Sequence, residues 1–259
     1  MNRFVSTLYR WLRPIADPLH MAAGVRHYGW YLRDWRQYSR LPQAEPLVWA
    51  NSYPQLHDKT AVSTIDPHYF YINAWAMRRV TANQPPNHVD VGSQVLFANL
   101  LAAVVPVLFV DYRPLHVTLS GLCSVGGSIL SLPFADNSVV SLSCLHVAEH
   151  IGLGRYGDPL DPLGSQKAVR ELARVLGPGG NLYFALPVGQ PRLQFNAHRI
   201  HDPQTICAYF ADLELVEFCG VDDNGRFTEA INPAALAQSQ YACGLFWFRK
   251  TVTSRHSKG

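Results

Sequence analysis

Short apolar segments alternate with helical patterns from residue 88 onward. Strands are predicted at residues 88–92, 107–111, 139–145, 181–186, 213–218 and 241–248, with a weaker one at 127–130. Helices are predicted over 94–104 and from Ser165, as N-cap, to the Gly/Pro stop at 177–180. Strands that are apolar on both faces and separated by helices indicate an α/β fold whose mostly parallel sheet is covered on both sides.

The first third of the chain shows no repeat and no clean periodicity, and Pro42, Pro46 and Pro54 mark loops in it. We therefore predict a helical or irregular extension over residues 1–85, an α/β domain over 86–252 and a flexible tail over 253–259. Residues 1–80 carry a net charge of +5 and five of the six tryptophans, whereas the remainder carries −2. The total of +3 is too small to indicate a nucleic-acid partner.

Cysteine usage and apolar run lengths predict the compartment. The five cysteines include no C-x-x-C pair and lie mostly in apolar segments, which is typical of a reducing cytoplasm rather than of a disulfide scaffold or zinc ribbon. The longest apolar run, residues 95–110, is interrupted by Asn99 and Pro106 and is shorter than the roughly 20 residues of a membrane span. Residues 1–15 mix apolar side chains with three arginines, so they either lie on an anionic membrane or partner, or pack on their own domain.

Two carboxylates stand where a nucleoside would need them in such a sheet. Asp90 and Gly92 end the first predicted strand, and Asp111 ends the second, 21 positions after Asp90. A carboxylate about 20 residues after a glycine turn commonly accepts hydrogen bonds from ribose hydroxyls. Because Gly92 is followed by Ser93 rather than by further glycines, a nucleoside without phosphates is favoured over a pyrophosphate. An ordinary strand–turn–helix junction is the alternative.

Two longer segments carry a family resemblance. LSLPFADNSVVSLSCLHVAEH (130–150) and RELARVLGPGG (170–180) resemble the class I S-adenosylmethionine-dependent methyltransferases, most closely the type-11 group, over residues 86–250. HVDVGS (88–93), CLHVAEHIGLGRYGDP (144–159), FNAHR (195–199) and YACGLF (241–246) resemble, more narrowly, the uncharacterised domain-of-unknown-function family 268, with a match that extends upstream to DPHYFY (66–71). The resemblance implies a Rossmann-like sheet of seven mostly parallel strands and S-adenosyl-L-methionine as cofactor.

The same resemblance implies a set of cofactor-binding residues. Asp90 and Gly92 would line the methionine moiety, Asp111 would hold the ribose, and His146 would face the sulfonium. Ser131 and Leu132 would flank the adenine, and Ser93 and Tyr112 would complete the set. The chain departs from the family pattern at three places: Ser93 replaces a glycine, Ser128 or Leu130 replaces an acid beside the adenine, and Val140 replaces an aspartate.

Candidate bases for methylation of a hydroxyl group follow the fourth predicted strand. His146, Glu149 and His150 have i, i+3, i+4 spacing and would share one face of a helical turn. His198 is a second choice, and a structural role is the alternative for each histidine. The loop carboxylates could join Glu149 around a divalent cation, but the spacing is not that of a metal site, and none is assigned.

Substrate contacts are expected from the regions around these bases. The expected residues are Tyr69, Arg155, Asp158, Asn196 and Arg199, with Arg199 placed to bind a carboxylate or phosphate. The loop at 152–164 is long enough to suggest a functional role, and residues 66–75 are expected to close over the pocket. Turn chemistry and backbone hydrogen bonds are the alternatives for these polar side chains.

These observations predict a cytoplasmic methyltransferase that uses S-adenosyl-L-methionine to methylate an oxygen of a small or glycan-like acceptor. The tryptophan-rich first third could stack on sugar rings. The sequence has no N-P-P-Y-type motif, which would have indicated a nucleic-acid substrate. The alternative is a methyltransferase-fold binding or scaffold protein that has lost turnover, which Ser93 and the missing adenine-side acid favour.

Overall fold

The computed structural model describes residues 17–252 of the chain. It divides into two compact units, one ending at Thr64 and one beginning at Ile65. The boundary therefore comes earlier than the predicted position 85, because the helix that follows Asp66 packs on the sheet of the second unit. The expected tail, residues 253–259, and the segment 1–15 lie outside the described residues.

The first unit is helical and irregular, as predicted. Helix α1 (Pro18–Tyr38) is followed by a 3-10 turn, Trp49–Asn51. The rings of Trp35 and Trp49 pack with centroids 5.9 Å apart. Lys59 Nζ lies 2.8 Å from Asp34 Oδ2 and 4.6 Å from the centroid of the Trp30 ring. Within residues 17–252, no helix combines the length and the apolar character needed to cross a membrane.

Up to residue 252, the second unit consists of one eight-stranded sheet with helices on its faces and a separate two-stranded hairpin. The strands are β1 (His88–Val91), β2 (Val107–Asp111), β3 (Leu122–Gly126), β4 (Val139–Leu145), β5 (Leu176–Val188), β6 (Arg192–Gln194), β7 (His198–Ile200), β8 (Glu214–Val221), β9 (Phe227–Thr228) and β10 (Ala242–Arg249). The helices are α2 (Pro67–Asn83), α3 (Val95–Leu101), α4 (Gly164–Val175) and α5 (Pro203–Tyr209), with 3-10 turns at Ala148–His150 and Pro233–Leu236.

The sheet is mostly parallel. Its order is β3-β2-β1-β4-β5-β10-β8-β9, and β10 runs antiparallel to both β5 and β8. Seven strands were expected, and the eighth is the two-residue β9, which pairs with the outer edge of β8. Parallel strands place their carboxyl ends along one edge, where such sheets bind ligands.

Three local predictions differ from the structure. The third strand is Leu122–Gly126 rather than 127–130, because Leu122 pairs with Val107 of β2 and the later residues turn back in a bridge between Ser128 and Ser131. Helix α3 ends at Leu101 instead of continuing to 104. Ser165 does not cap α4, since its hydroxyl donates to the carbonyl of Ala148 at 2.6 Å.

Two apolar clusters cover the two faces of the sheet. One contains residues of α4 and α5, and the other contains residues of α2 and α3. Trp75 of α2 is buried, and its Nε1 donates to Glu217 Oε2 of β8 at 3.2 Å. Arg79 also pairs with Glu217, at 2.7 Å, so α2 is held by burial and by polar contacts at one point of the sheet.

A buried polar network joins β1 to β4 beneath the carboxyl edge. His88 is fully buried, and its ring nitrogens lie 2.7 Å from Ser141 Oγ and 2.8 Å from Ser143 Oγ. The Ser143 hydroxyl donates to Asp90 Oδ2, and the backbone N–H of Ser93 donates to Asp90 Oδ1 at 3.1 Å. Every member of this network is therefore satisfied although it is shut off from water, as buried polar groups require.

We predict that Asp90→Asn changes how stability depends on pH. Burial raises the pKa of Asp90 from 3.8 to about 6. Because the folded state then binds this proton more tightly than the unfolded state, the contribution of Asp90 is present below about pH 4 and is lost as the pH rises through 6. The difference in free energy of unfolding between Asp90→Asn and the wild type should shift in favour of the variant by up to about 3 kcal/mol from pH 4 to pH 7. Urea denaturation at each pH measures it.

Asp212→Asn is the control, because Asp212 is an exposed carboxylate of the same unit. Its stability profile should remain parallel to that of the wild type. A parallel profile for Asp90→Asn as well would contradict the assignment.

Candidate functional site

A cavity of about 380 Å³ opens at the carboxyl ends of β1, β2 and β4. This is within the size range of ligand pockets. Its wall is made by the turn after β1 (Gly92 to Val95), the end of β2 (Val110 to Arg113), the turn Gly127 to Leu130, the end of β4 (Leu145 to Val147), and Tyr69, His150, Ile151, Tyr156, Asp158 and Pro159. The cavity therefore lies where the strand pattern predicts a ligand.

The turn after β1 approaches its neighbours so closely that it needs a glycine. Gly92 has φ +68°, and a Cβ at this position would lie 3.2 Å from Val147 Cγ1 and 3.4 Å from Asp111 Oδ2. Ser93 is buried, and its hydroxyl accepts the N–H of Leu145 at 3.0 Å. Asp90 lies beneath this turn in the buried network and does not reach the cavity wall.

Asp111 ends β2 with its carboxylate in the cavity wall. Its Oδ1 accepts the backbone N–H of Arg113 at 2.7 Å, and its Oδ2 lies beside Gly92. Tyr112, which was also predicted, lines the same wall. A carboxylate held by the following turn and facing a cavity is suited to accept hydrogen bonds from vicinal hydroxyls.

The residues that line the cavity where the adenine was predicted come a few positions earlier in the chain than Ser131 and Leu132. Gly127 to Leu130 line the cavity, whereas Ser131 and Leu132 do not. Leu132 is buried in the core, and its N–H donates to Glu171 Oε1 at 2.6 Å. The displacement has the same origin as the misplaced third strand: residues expected to be that strand form the turn that reaches the cavity.

His146 follows β4 in a strained backbone conformation. Its φ is +58°, in the left-handed region that residues other than glycine rarely occupy. Its N–H donates to the carbonyl of Ala185 at 2.8 Å, which holds the backbone in this state. The ring packs 5.3 Å from Tyr69 and 5.4 Å from His68, so the strain directs the imidazole towards α2 and the cavity.

His146, Glu149 and His150 are brought together as predicted, by a 3-10 turn rather than by an α-helix. Glu149 is fully buried, and its Oε1 accepts His146 Nδ1 at 2.6 Å and lies 3.6 Å from His150 Nε2. Both histidines line the cavity, and Glu149 lies behind them. Its other oxygen, Oε2, has no hydrogen-bond partner among residues 17–252.

The surroundings of the two histidines shift their pKa values in opposite directions. Burial disfavours a charged His146, but its contacts with Cys243 and with the buried Glu149 carboxylate outweigh burial and raise the pKa of His146 above its usual value. Burial lowers the pKa of His150, and the attraction of Glu149 does not reverse this. Its Nδ1 is 2.6 Å from the carbonyl of Ala197 and therefore carries the proton, which leaves the lone pair on Nε2. At neutral pH, His150 is the ring able to accept a proton.

The predicted substrate residues have two kinds of position. Tyr69 and Asp158 line the cavity, whereas Arg155, Asn196 and Arg199 do not. Arg155 Nη1 donates to the carbonyl of Ala197 at 3.1 Å, and Asn196 Nδ2 donates to that of Leu153 at 3.4 Å.

Arg199 holds the loop at 152–164 instead of reaching a ligand. Its guanidinium donates to the carbonyls of Ile151 at 2.6 Å and Asp161 at 3.1 Å. The alternative of backbone hydrogen bonding thus describes Arg155, Asn196 and Arg199 in this structure. His198 also lies off the cavity wall, with its ring 5.0 Å from that of Tyr241.

Several wall residues were not predicted. Gln94 accepts a hydrogen bond from Asn73 of α2 at 2.8 Å, and the Tyr156 ring lies 5.7 Å from that of His150. Tyr156 stands within the segment that resembles family 268, which is the signal that could have indicated it. Val147 lies in the same segment, whereas Gln94 carries no comparable pattern, because it reaches the cavity through the turn that contains it.

Comparisons with known proteins agree with this architecture. The family model described as Caenorhabditis protein of unknown function, DUF268, matches residues 135–240. No curated protein matches the chain by sequence. The structure of the N-methyltransferase NodS from Bradyrhizobium japonicum WM9 in complex with S-adenosyl-L-homocysteine is 14% identical with a TM-score of 0.51, over 84% of this chain and 97% of that chain.

Two further solved structures are similar. A second NodS structure from the same organism is 16% identical with a TM-score of 0.50, over 72% of this chain and 98% of that one. The YcgJ protein from Bacillus subtilis is 14% identical with a TM-score of 0.48, over 69% and 99% of the two chains. The NodS likenesses show that the chain has the class I S-adenosylmethionine-dependent methyltransferase fold, and the predicted resemblance to this fold and to family 268 is confirmed.

We predict that Arg199→Ala loosens the loop at 152–164 and lowers stability. The change leaves two backbone carbonyls without their charged donor, which should cost about 1–3 kcal/mol in the free energy of unfolding. Amide hydrogen exchange of residues 151–164 should accelerate.

Arg192→Ala is the matched control, because Arg192 lies on β6 opposite β7, and the one contact described for its guanidinium is with the carbonyl of Gln190, at 3.2 Å. It should change stability by less than about 0.5 kcal/mol. Equal exchange rates in both variants would show that Arg199 does not hold the loop.

Proposed function

We propose that this chain is an S-adenosyl-L-methionine-dependent methyltransferase that methylates a hydroxyl group of a small or glycan-like acceptor. The observation that carries the proposal is the composition of one cavity wall. The Gly92 turn, the Asp111 carboxylate and the His146–His150 pair all line it. A nucleoside-binding half and a proton-accepting half therefore meet in one cavity.

The residues present fit the cofactor. Asp111 would accept hydrogen bonds from the ribose hydroxyls, and the turn at Gly127 to Leu130 would contact the adenine. Gly92 leaves room for the methionine moiety, and His146 with Tyr69 would lie towards the sulfonium. When bound, the cofactor supplies an electrophilic methyl group on sulfur. The same fold in NodS, solved with S-adenosyl-L-homocysteine, supports this assignment.

We assign His150 as the base. Its Nε2 keeps a lone pair because Nδ1 donates to the Ala197 carbonyl, and a proton taken from an acceptor hydroxyl would be held on this nitrogen, which lies 3.6 Å from Glu149 Oε1. The buried carboxylate would stabilise the resulting imidazolium, while orientation of the acceptor against the methyl group supplies most of the acceleration. Tyr69, Tyr156 and Asp158 would contact the acceptor from the same wall.

A binding or scaffold protein of the same fold is the second candidate. Two observations favour it. The Ser93 hydroxyl is used in a buried hydrogen bond with the N–H of Leu145. Ser128 has no carboxylate to offer the adenine, and its hydroxyl accepts the N–H of Leu130 at 3.2 Å. In either role, the five free cysteines support a reducing, cytoplasmic setting. Contact of residues 1–15 with a membrane surface or partner remains a separate prediction.

We predict that S-adenosyl-L-methionine and S-adenosyl-L-homocysteine bind the full chain and that Asp111→Ala weakens both. Loss of a charged hydrogen-bond acceptor should reduce affinity by about 10-fold or more, since such bonds contribute about 1.5–3 kcal/mol. Isothermal titration calorimetry measures this directly, and bound ligand should also raise the melting temperature. Asp212→Ala, on the surface of the same unit, should bind like the wild type.

If millimolar ligand produced neither heat of binding nor a thermal shift, both the cofactor assignment and the proposed methyltransferase activity would be excluded. Equal affinity in wild type and Asp111→Ala would place the nucleoside elsewhere.

We predict that His150→Gln abolishes transfer without weakening cofactor binding. Methyl-labelled S-adenosyl-L-methionine would be incubated with a panel of mono- and oligosaccharides and phenols, and with a matched panel of amines. Transfer to the hydroxyl panel should fall about 10²–10⁴-fold in His150→Gln, as expected for loss of a general base. His116→Gln, an exposed histidine off the cavity wall, should retain transfer.

Two results would reject the O-methyltransferase assignment. Transfer to amines alone would replace the hydroxyl acceptor with an amine. Cofactor binding with no transfer to either panel would favour the binding-protein candidate.

A further inference from the structure

Two histidines and a cysteine form a cluster beside the cavity. One ligand atom from each of His68, His146 and Cys243 lies within 4.8 Å of the other two. His146 and Cys243 are buried, and His68 is partly buried. Three side chains of types that commonly bind transition metals thus face one point in the interior.

Each member of the cluster is held by a different element of the fold. His68 lies in the first turn of α2, where its N–H donates to the N-cap Asp66 at 2.9 Å. His146 follows β4, and Cys243 lies in β10 opposite Pro187 of β5. The His68 ring stacks between those of His146 and Tyr241, with centroids 5.4 Å and 5.0 Å away. The three side chains are therefore positioned before any ligand arrives.

His146 and Cys243 have the separation expected of two ligands on one ion. His146 Nε2 lies 3.6 Å from Cys243 Sγ. Zinc binds nitrogen at about 2.0–2.1 Å and sulfur at about 2.3 Å in tetrahedral sites, which places the two donor atoms about 3.5 Å apart. The observed distance accommodates an ion between them without movement of the strands.

Glu149 supplies the outer partner that metal-binding histidines usually have. Its Oε1 accepts the Nδ1–H of His146 at 2.6 Å. Nδ1 therefore keeps its proton, and the proton on Nε2, the nitrogen nearest Cys243 Sγ, is the one that a metal ion would displace on binding. A carboxylate–histidine–metal arrangement orients the ring in this way and raises the basicity of the ligand nitrogen.

A cysteine nucleophile would use the same order of groups, with Cys243, His146 and Glu149 as thiol, base and orienting carboxylate. The burial of Cys243 argues against this role, because it has no exposed surface and a substrate carbon could not approach Sγ. A metal ion of small radius needs no such access.

We propose that His68, His146 and Cys243 bind one zinc ion through two imidazole nitrogens and a thiolate. Three protein ligands leave a fourth position for water or a substrate atom, as in sites that take part in chemistry. His146 also belongs to the cavity wall, so the ion would lie next to the acceptor side of the cavity. The site stands on its own ligands and does not depend on methyl transfer.

The first test is the metal content of the full chain. Protein produced in zinc-supplemented medium and passed through gel filtration should hold about one zinc per chain by plasma mass spectrometry. Cys243→Ser and His68→Ala should each lose most of it. Cys219→Ser is the matched control, since Cys219 is a buried cysteine in the neighbouring strand β8 that is not part of the cluster, and it should retain the metal.

The second test uses the unaltered chain, so that it does not depend on whether the variants fold. Cobalt(II) added to chelator-treated protein should produce a near-ultraviolet thiolate-to-cobalt charge-transfer band and the intense visible bands of a tetrahedral ion, saturating at one equivalent. Zinc should abolish both. Absence of the charge-transfer band, absence of zinc in the wild type, or equal zinc in wild type, Cys243→Ser and His68→Ala would each overturn the proposal.

Discussion

The candidate site depends on one buried carboxylate. Asp90 accepts hydrogen bonds from the hydroxyl of Ser143 in β4 and from the N–H of Ser93 in the turn after β1. The Ser93 hydroxyl accepts a further hydrogen bond from the N–H of Leu145. These bonds fix the end of β1 against the end of β4, and the cavity opens between these ends. Gly92 can approach Asp111 and Val147 closely because the turn is held from below. The Asp90 carboxylate that anchors the turn is buried, so its charged form lowers the stability of the fold when the pH is above its raised pKa. The site is therefore positioned at a cost in the free energy of unfolding.

The same edge gives two histidines different tasks through one shared glutamate. His146 faces Cys243 and is held by the 2.6 Å bond to Glu149, whereas His150 is anchored by a backbone carbonyl and meets Glu149 at 3.6 Å. Environment, rather than residue type, thus separates the two rings, and on our proposals one would accept a proton while the other would bind a metal. A left-handed residue at the end of β4 makes the arrangement possible, because it turns the His146 ring away from the direction that a regular strand would give it.

The sequence predicts what local pattern controls. Apolar strands separated by helices, the glycine turn and the carboxylate at the end of β2 identify the sheet and the nucleoside side of the cavity. The i, i+3, i+4 spacing of His146, Glu149 and His150 predicts that these side chains lie together, but it does not distinguish which of them would act as a base. Pattern does not indicate which short apolar segment forms an edge strand, so the strand expected at 127–130 became a cavity turn and Ser131 and Leu132 fell outside the wall. Nor does it indicate pairs distant in sequence: His68 and Cys243 are 175 positions apart and meet because α2 and β10 pack on the same part of the sheet.

The position of β10 constrains when the sheet can form. Among the strands that residues 17–252 form, β10 comes last in sequence, yet it lies between β5 and β8 and pairs with both along its length. During synthesis, β1 to β5 can assemble while β5 still presents an unpaired edge, and β8 has no place in the sheet until residues 242–249 have left the ribosome. Cys243 is part of β10 and is synthesised with it. The nucleoside side of the cavity can thus form on the ribosome. The side that contains the histidine–cysteine cluster is completed only when β10 inserts between β5 and β8, and long-range pairing of this kind is a slow class of folding step. Until then the open edge of β5 needs protection from pairing with other chains.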